Sequence, residues 1–145
     1  MKQALILAGK AAQMKEVPVG ALVVSSDGEI IGEGYNQKET SQSALAHAEV
    51  LAIKQACEKL GSWRLKGCTL YVTLEPCPMC SGAIWASQLG QVVFGAYDPK
   101  TGYLSSLHKL GEDQKLNHRF ESVGGVLENE CSQILKGFFK NLRNI

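Results

Sequence analysis

The period of the apolar positions changes several times along the chain, and each change marks a new element. Ala4, Leu7 and Ala11, with Leu5, Ala8 and Ala12 beside them, recur at helical spacing and predict a helix over residues 2–15. Two apolar runs, 19–24 and 29–35, then flank Ser26-Asp27-Gly28, which reads as a hairpin. Helical period returns over 44–60, with Leu45, Val50, Ile53, Cys57 and Leu60 expected to face inward and Gly61 to stop the helix. Residues 69–74 predict a buried strand, 78–87 a helix and 91–96 a further strand. From Asp98 to Asn117 the chain is polar, with at most a short helix around 104–109. Residues 120–127 give a weak fifth strand and 128–143 a closing amphipathic helix.

The strand–helix–strand order over 69–96 implies a right-handed crossover and parallel neighbours, whereas the early hairpin is antiparallel. The expected class is therefore α/β, a mixed sheet with helices on both faces. No linker or internal repeat interrupts the 145 residues, which fit one domain, 1–145, able to bury a core of its own. At 45% hydrophobic and 20% charged, the chain has the make-up of an ordinary water-soluble globule. No apolar run is long enough for a membrane span, and the stretch within "MKQALILAGK" is too short for a signal peptide. A net charge of +1 carries no global polynucleotide signal. Lys136, Lys140 and Arg143 nevertheless concentrate in a terminal stretch without acidic residues. Five cysteines, an odd number without a disulfide-framework pattern, point to a reducing cytoplasm.

Chemistry enters at "LEPCPMCSGAI", where Cys77 and Cys80 stand three apart. Pro78 suits the first helical position, which makes Cys77 the cap of the helix and Cys80 its neighbour one turn on. Upstream, "AHAEV" places His47 and Glu49 at the start of the second long helix. In mid-helix two such residues face different sides, but in a first turn both reach a group beyond the helix end. Two helix N-termini could thus converge, and their positive ends favour thiolate over thiol. One His and two Cys make a three-ligand zinc set, leaving a fourth position for water, whereas structural zinc sites close with four protein ligands. Cys57, Cys68 and Cys131 read as small hydrophobes, and His108 and His118 as solvated or capping residues. A thioredoxin-like redox pair would leave His47 and Glu49 unexplained.

The joined pattern H-x-E…P-C-x-x-C belongs to zinc-dependent base deaminases. Over nearly its whole length the chain resembles the bacterial tRNA adenosine deaminases of the cytidine deaminase-like superfamily. The blocks that carry the resemblance are "EVPVGALVV", "GEGYN", "HAEVLAI", "GSWRL", "LYVTLEPCPMCSGAI", "VVFGAYDPKTG", "LNHR" and "GFFKNLR". Pro78 replaces the Val more common in that family, giving a "PCPMC" spelling similar to guanine deaminases. Tyr97 and Leu142 stand where some members carry Arg.

This resemblance implies a three-layer α/β/α sandwich around a five-stranded sheet, and a homodimer. It implies one Zn²⁺ per chain on His47, Cys77 and Cys80, with Glu49 as the proton carrier. It further implies adenosine-to-inosine conversion at the wobble position of a tRNA anticodon. Asn36, the amide of Ala48 and Asp98 are implied contacts to the base, ribose or backbone near the target, and Phe139 a stacking partner. If RNA is the substrate, Lys136, Lys140 and Arg143 are candidate phosphate contacts. Two other readings stay open: a deaminase of a free base or nucleotide of the guanine or cytosine type, and a non-catalytic zinc-containing nucleic-acid-binding module.

Overall fold

The structure, a computed structural model, describes residues 1–143. Helix α1 (Lys2–Gln13) leads into the hairpin of β1 (Gly20–Val24) and β2 (Ile30–Tyr35). A one-turn helix α2 (Lys38–Ser41), absent from the sequence expectations, precedes α3 (Ala48–Leu60). Then come β3 (Thr69–Leu74), α4 (Pro78–Ala86), β4 (Gln91–Ala96), a 3₁₀ turn at Leu110–Glu112, β5 (Glu121–Val123) and α5 (Glu128–Arg143). The sheet order is β2-β1-β3-β4-β5. Strand β1 runs antiparallel to β2 and β3, whereas β3, β4 and β5 are parallel. Helices α3 and α4 cover one face, and α1 and α5 the other. The mixed, helix-sandwiched sheet matches the sequence expectation.

The core divides along the alternation of β1. Ala21 and Val23 join α3, α4 and the inner positions of β3 and β4, including Val72 and Phe94. Leu22, on the opposite face, packs against Ala4 and Leu7 of α1. This is the period-two partition expected of a strand covered on both sides.

The inward stripe of α3 differs from the one expected. Of the residues assigned to it, Ile53 is buried and Val50 and Cys57 are half-buried, but Leu45 and Leu60 are 62% and 46% exposed. The residues that face the sheet are Ala48, Glu49, Ala52, Ile53 and Ala56. The cause lies in β2: a Cβ at Gly32 would fall on the Ala52 carbonyl, and one at Gly34 on the Ala48 carbonyl. Helix and strand backbones approach so closely there that only the alanines at 48, 52 and 56 fit against β2, while Leu45 and Leu60 stay exposed. Hydrophobicity alone ranks Leu above Ala for burial, which is why the pattern pointed to the wrong stripe.

The polar stretch also departs from expectation. No helix forms over 104–109; residues 103–106 form turns and the 3₁₀ turn begins only at Leu110. The amides of Leu104, Ser105 and Ser106, which a helix would have used internally, donate to the carboxylate of Glu75. The fifth strand is shorter than expected, ending at Val123, after which Gly125 and Val126 bond back to Gly95 and Phe94.

Gly34→Ala tests the close approach of α3 to β2. Overpacking at this point should destabilise the fold by about 1–3 kcal/mol, read by denaturant unfolding. An unchanged midpoint would show that the two backbones can separate freely.

Candidate metal centre and active-site cleft

Helix α3 begins at Ala48 because His47 has extended backbone, φ −78° and ψ 150°, and serves as its cap. Cys77 caps α4 in the same way, at φ −74° and ψ 176°, with Pro78 in the first helical position. That cap follows Leu74 by the short link Glu75-Pro76, so α4 starts at the carboxyl end of β3. This is the edge at which open α/β sheets place ligands. The two capping positions and Cys80, one turn into α4, are thereby brought to a single point.

The side-chain ligand atoms of His47, Cys77 and Cys80 lie within 4.8 Å of one another. His47 Nδ1 is 3.7 Å from Cys77 Sγ and 3.4 Å from Cys80 Sγ. Tetrahedral zinc, with Zn–N of about 2.0–2.1 Å and Zn–S of about 2.3 Å, places nitrogen and sulfur about 3.6 Å apart. The protein atoms fit such an ion, and Nδ1, not Nε2, is the imidazole atom that faces the two sulfurs. Hydrogen bonding from Cys80 and then from His47 pulls the Cys77 thiol down to about 4. The Cys80 thiol is pushed strongly up, first by its bond to Cys77 and then by burial. A cation binding here would displace that shared proton, because the thiolate is the ligand form.

Glu49 is buried beside the triangle, in the first turn of α3. Burial, together with the nearby Cys77, pushes its carboxyl up to about 7. It lies next to the cluster of His47, Cys77 and Cys80 and is not a member of it.

His47, Glu49 and Cys77 line a cleft of about 470 Å³, and Cys80 lies buried behind them. Asn36, Ala48, Asp98 and Phe139, all singled out from the sequence, line it as well. Asn36 is held in one orientation: its Nδ2 donates to the Val17 carbonyl and its Oδ1 accepts from the Lys38 amide. Asp98 closes a tight turn, with Oδ1 accepting from the amides of Lys100 and Thr101 and Oδ2 from the Thr101 hydroxyl. Phe139 is 40% exposed and meets Phe138 edge-on. Lys136 and Arg143 line a second groove of about 430 Å³ with Lys100, Leu135 and Phe139. Lys140 is exposed on α5 outside the lining of both cavities.

The other candidates take structural places. His118 Nε2 donates to the Leu89 carbonyl at 2.9 Å, and His108 stands 3.6 Å from Asp113 on the surface. Burial pushes the Cys57, Cys68 and Cys131 thiols up, away from reactivity.

Two buried carboxylates of the cleft escaped the sequence reading. Glu16 is buried and accepts the amides of Glu39 and Thr40, which pins α2. Glu75, also buried, accepts the amides of Asp98, Leu104, Ser105 and Ser106 and the Ser106 hydroxyl. In both, burial opposes ionisation, but these donors outweigh it and hold the carboxyls below their ordinary value. A charged residue embedded in an otherwise apolar segment was the available signal, in "KEVPVG" and in "LYVTLEP".

A family model of MafB19-like deaminases matches residues 1–143. The chain belongs to that family. This deaminase is 52% identical over 143 residues to the tRNA-specific adenosine deaminase of Bacillus subtilis (strain 168), covering 99% of this chain and 88% of that protein. A structure solved in work on A-to-I editing by tRNA:A34 deaminases superposes with a TM-score of 0.88 at 39% identity, covering 93% of this chain and 97% of the other. The guanine deaminase of Bacillus subtilis superposes with a TM-score of 0.62 at 45% identity, covering 66% of this chain and 61% of the other. The fold is thus that of the tRNA deaminase neighbour.

Cys80→Ala should lower the metal bound per chain, because a buried thiolate is removed from the coordination shell. Metal analysis of the purified variant decides it; full occupancy would mean that another residue completes the site.

Proposed function

We propose that the protein is a zinc-dependent enzyme that converts adenosine to inosine at the wobble position of a tRNA anticodon. The observation that carries this reading is the His47–Cys77–Cys80 triangle with Glu49 buried beside it on the wall of the cleft. Two thiolates and an imidazole in tetrahedral spacing are ligands suited to zinc. Three protein ligands leave the fourth position to water, as in catalytic zinc sites. When bound, zinc supplies Lewis acidity that brings the pKa of a water toward neutrality.

The rest is done by this chain's own residues. Glu49 takes the proton from the water that adds at C6 and delivers it to ring N1; it then moves the proton of the new C6 hydroxyl to the amino group, so that the C6–N bond breaks, ammonia leaves and the 6-oxo base remains. A carboxyl pushed up to about 7 is matched to a proton that must be both accepted and returned near neutral pH. Asn36, fixed by Val17 and Lys38, has one N–H and a lone pair free for the base edge or ribose. The Ala48 amide, at the open end of α3, is a donor to the base. Asp98 faces ribose or backbone near the target, and Phe139 offers a ring to a neighbouring base. A base in a paired helix cannot enter such a cleft, so the target is an unpaired loop base.

The partner is a tRNA anticodon loop, whose phosphates meet Lys136, Lys140 and Arg143. A second copy of the chain is the other partner. Helix α4, without a charged residue, leaves Pro78 and Ala86 exposed and Met79, Gly82 and Ala83 half-exposed. Such an all-round apolar helix calls for cover on its outer side. Ala83→Glu should convert the dimer to monomer in sedimentation; a monomeric parent protein would reject the assignment. No described helix is long and apolar enough to cross a membrane, and substrate tRNA places the enzyme in the cytoplasm.

One observation favours a second reading: "PCPMC" and the likeness to a guanine deaminase suit a free-base substrate. Ammonia release from an anticodon stem-loop, adenosine, guanine and cytidine separates the two. Turnover of guanine alone would select the second.

Glu49→Ala should keep its zinc and drop about 10²- to 10⁴-fold in turnover. Near-normal deamination would remove Glu49 from the mechanism.

The basic tail makes a separate claim. Removing one phosphate-neutralising side chain flattens the plot of log affinity against log salt by about 0.7–0.9. Lys140→Ala with Arg143→Ala should therefore weaken stem-loop binding most at low salt, with zinc content unchanged. An unaltered slope in binding titrations would show that the tail does not touch RNA.

A further inference from the structure

Glu75 is the most heavily bonded side chain at the cleft, yet the deamination chemistry does not use it. Its backbone amide donates to the Ala96 carbonyl at 2.8 Å, which joins it to the end of β4. Its carboxylate then collects the loop that follows. Oε1 takes the Asp98 amide at 3.0 Å and the Ser106 hydroxyl. Oε2 takes the amides of Leu104, Ser105 and Ser106 at 3.2, 2.8 and 2.8 Å. Both ends of a turn spanning residues 98–106 are thus fastened to one carboxyl group. A Cβ at Gly102 would strike that group, so the loop lies directly on it. A second tie, from the Tyr103 amide to the Pro76 carbonyl at 2.9 Å, joins the loop to the same link that leads into Cys77.

What the loop carries makes the attachment functional. Asp98 and Thr101 line the catalytic cleft. Lys100, between them in sequence, lines the groove that also holds Lys136 and Arg143. Phe139 lines both cavities and stands between them. A single rigid loop therefore sets the spacing from the metal ligands to the Asp98 carboxylate and on to a cation in the next groove. Free bases need only the first cavity. A polynucleotide, whose phosphates recur beyond the target residue, uses both.

We propose that Glu75 is a positioning residue that ties the metal-ligand link to the 98–106 loop and so aligns Asp98 and Lys100 for an RNA strand. It acts through Asp98 and Lys100 and does not itself touch the reacting atoms. The RNA strand in this role rests on the function proposed above; the tie between Glu75 and the loop does not.

Glu75→Gln keeps the shape but sets an NH₂ group against amide donors, so at least one end of the loop is released. In the full-length, metal-loaded protein, metal content should stay at the parent level. Tryptic cleavage after Lys100 should quicken by about tenfold or more. The KM for an anticodon stem-loop should rise by about tenfold or more, with a smaller change in kcat, since misalignment of a substrate-binding group is felt on that scale. In an Asp98→Ala background the same substitution should add little to KM. Ser106→Ala, which withdraws one donor and keeps the carboxylate, should move cleavage and KM in the same direction by less.

Unchanged cleavage and KM in Glu75→Gln, or in Ser106→Ala should Glu75→Gln not fold, overturn the proposal. So does a fall in metal content in step with activity, which would make Glu75 a support of the ligand link alone. If the parent protein fails to deaminate the stem-loop, the RNA reading falls, while cleavage after Lys100 still decides whether Glu75 holds the loop.

Discussion

The packing on which the site depends is the near-touching of two backbones, α3 and β2. Glycines at positions 32 and 34 and alanines along the inner side of α3 leave nothing bulkier between them. A helix seated this low has little freedom to slide or tilt, because interiors are close-packed and a methyl group at such a place is felt. His47, at its first turn, inherits that constraint. The matching constraint on Cys77 and Cys80 comes from the parallel pairing of β3 with β4, which puts α4 at the carboxyl edge of the sheet. The ligand triangle is thus a property of packing on one face of the sheet.

Charge is handled with equal economy around that triangle. The carboxylates of Glu16 and Glu75 are buried and well supplied with backbone donors, so they stay ionised and hold a loop each. Glu49 is buried too, but poor solvation and neighbouring thiolate character raise it toward neutrality. Three buried glutamates of one cleft therefore differ in behaviour according to their partners: two are held below the ordinary carboxyl value by backbone donors, and one is raised toward neutrality. Residue type alone does not separate these roles.

The ligand triangle and the basic groove belong to different parts of the molecule. His47, Cys77, Cys80 and Glu49 sit at the starts of α3 and α4, within rigid elements. Residues of the 98–106 loop and of α5, Phe139 among them, line both cavities. A guanine deaminase can share the fold with this family member because the first set does not dictate the second.

Much of this was legible along the chain. The element order, the antiparallel hairpin, the parallel crossover and the placement of His47, Glu49, Cys77 and Cys80 at two helix starts followed from periodicity and capping residues. Those are local properties, carried by residues within a turn or two of one another. What could not be read were choices made between distant segments. The alanine stripe of α3 depends on glycines in β2, and the missing helix at 104–109 depends on a carboxylate about thirty residues earlier. That Nδ1 of His47 faces Cys77 and Cys80 depends on the meeting of two helix starts about thirty residues apart. By itself the sequence determined which chemistry the protein carries, because ligand types and caps are written locally. Only the tertiary structure decided how those residues are held and which loop lines the cleft, because buried amides and close-packed backbones find their partners across the fold.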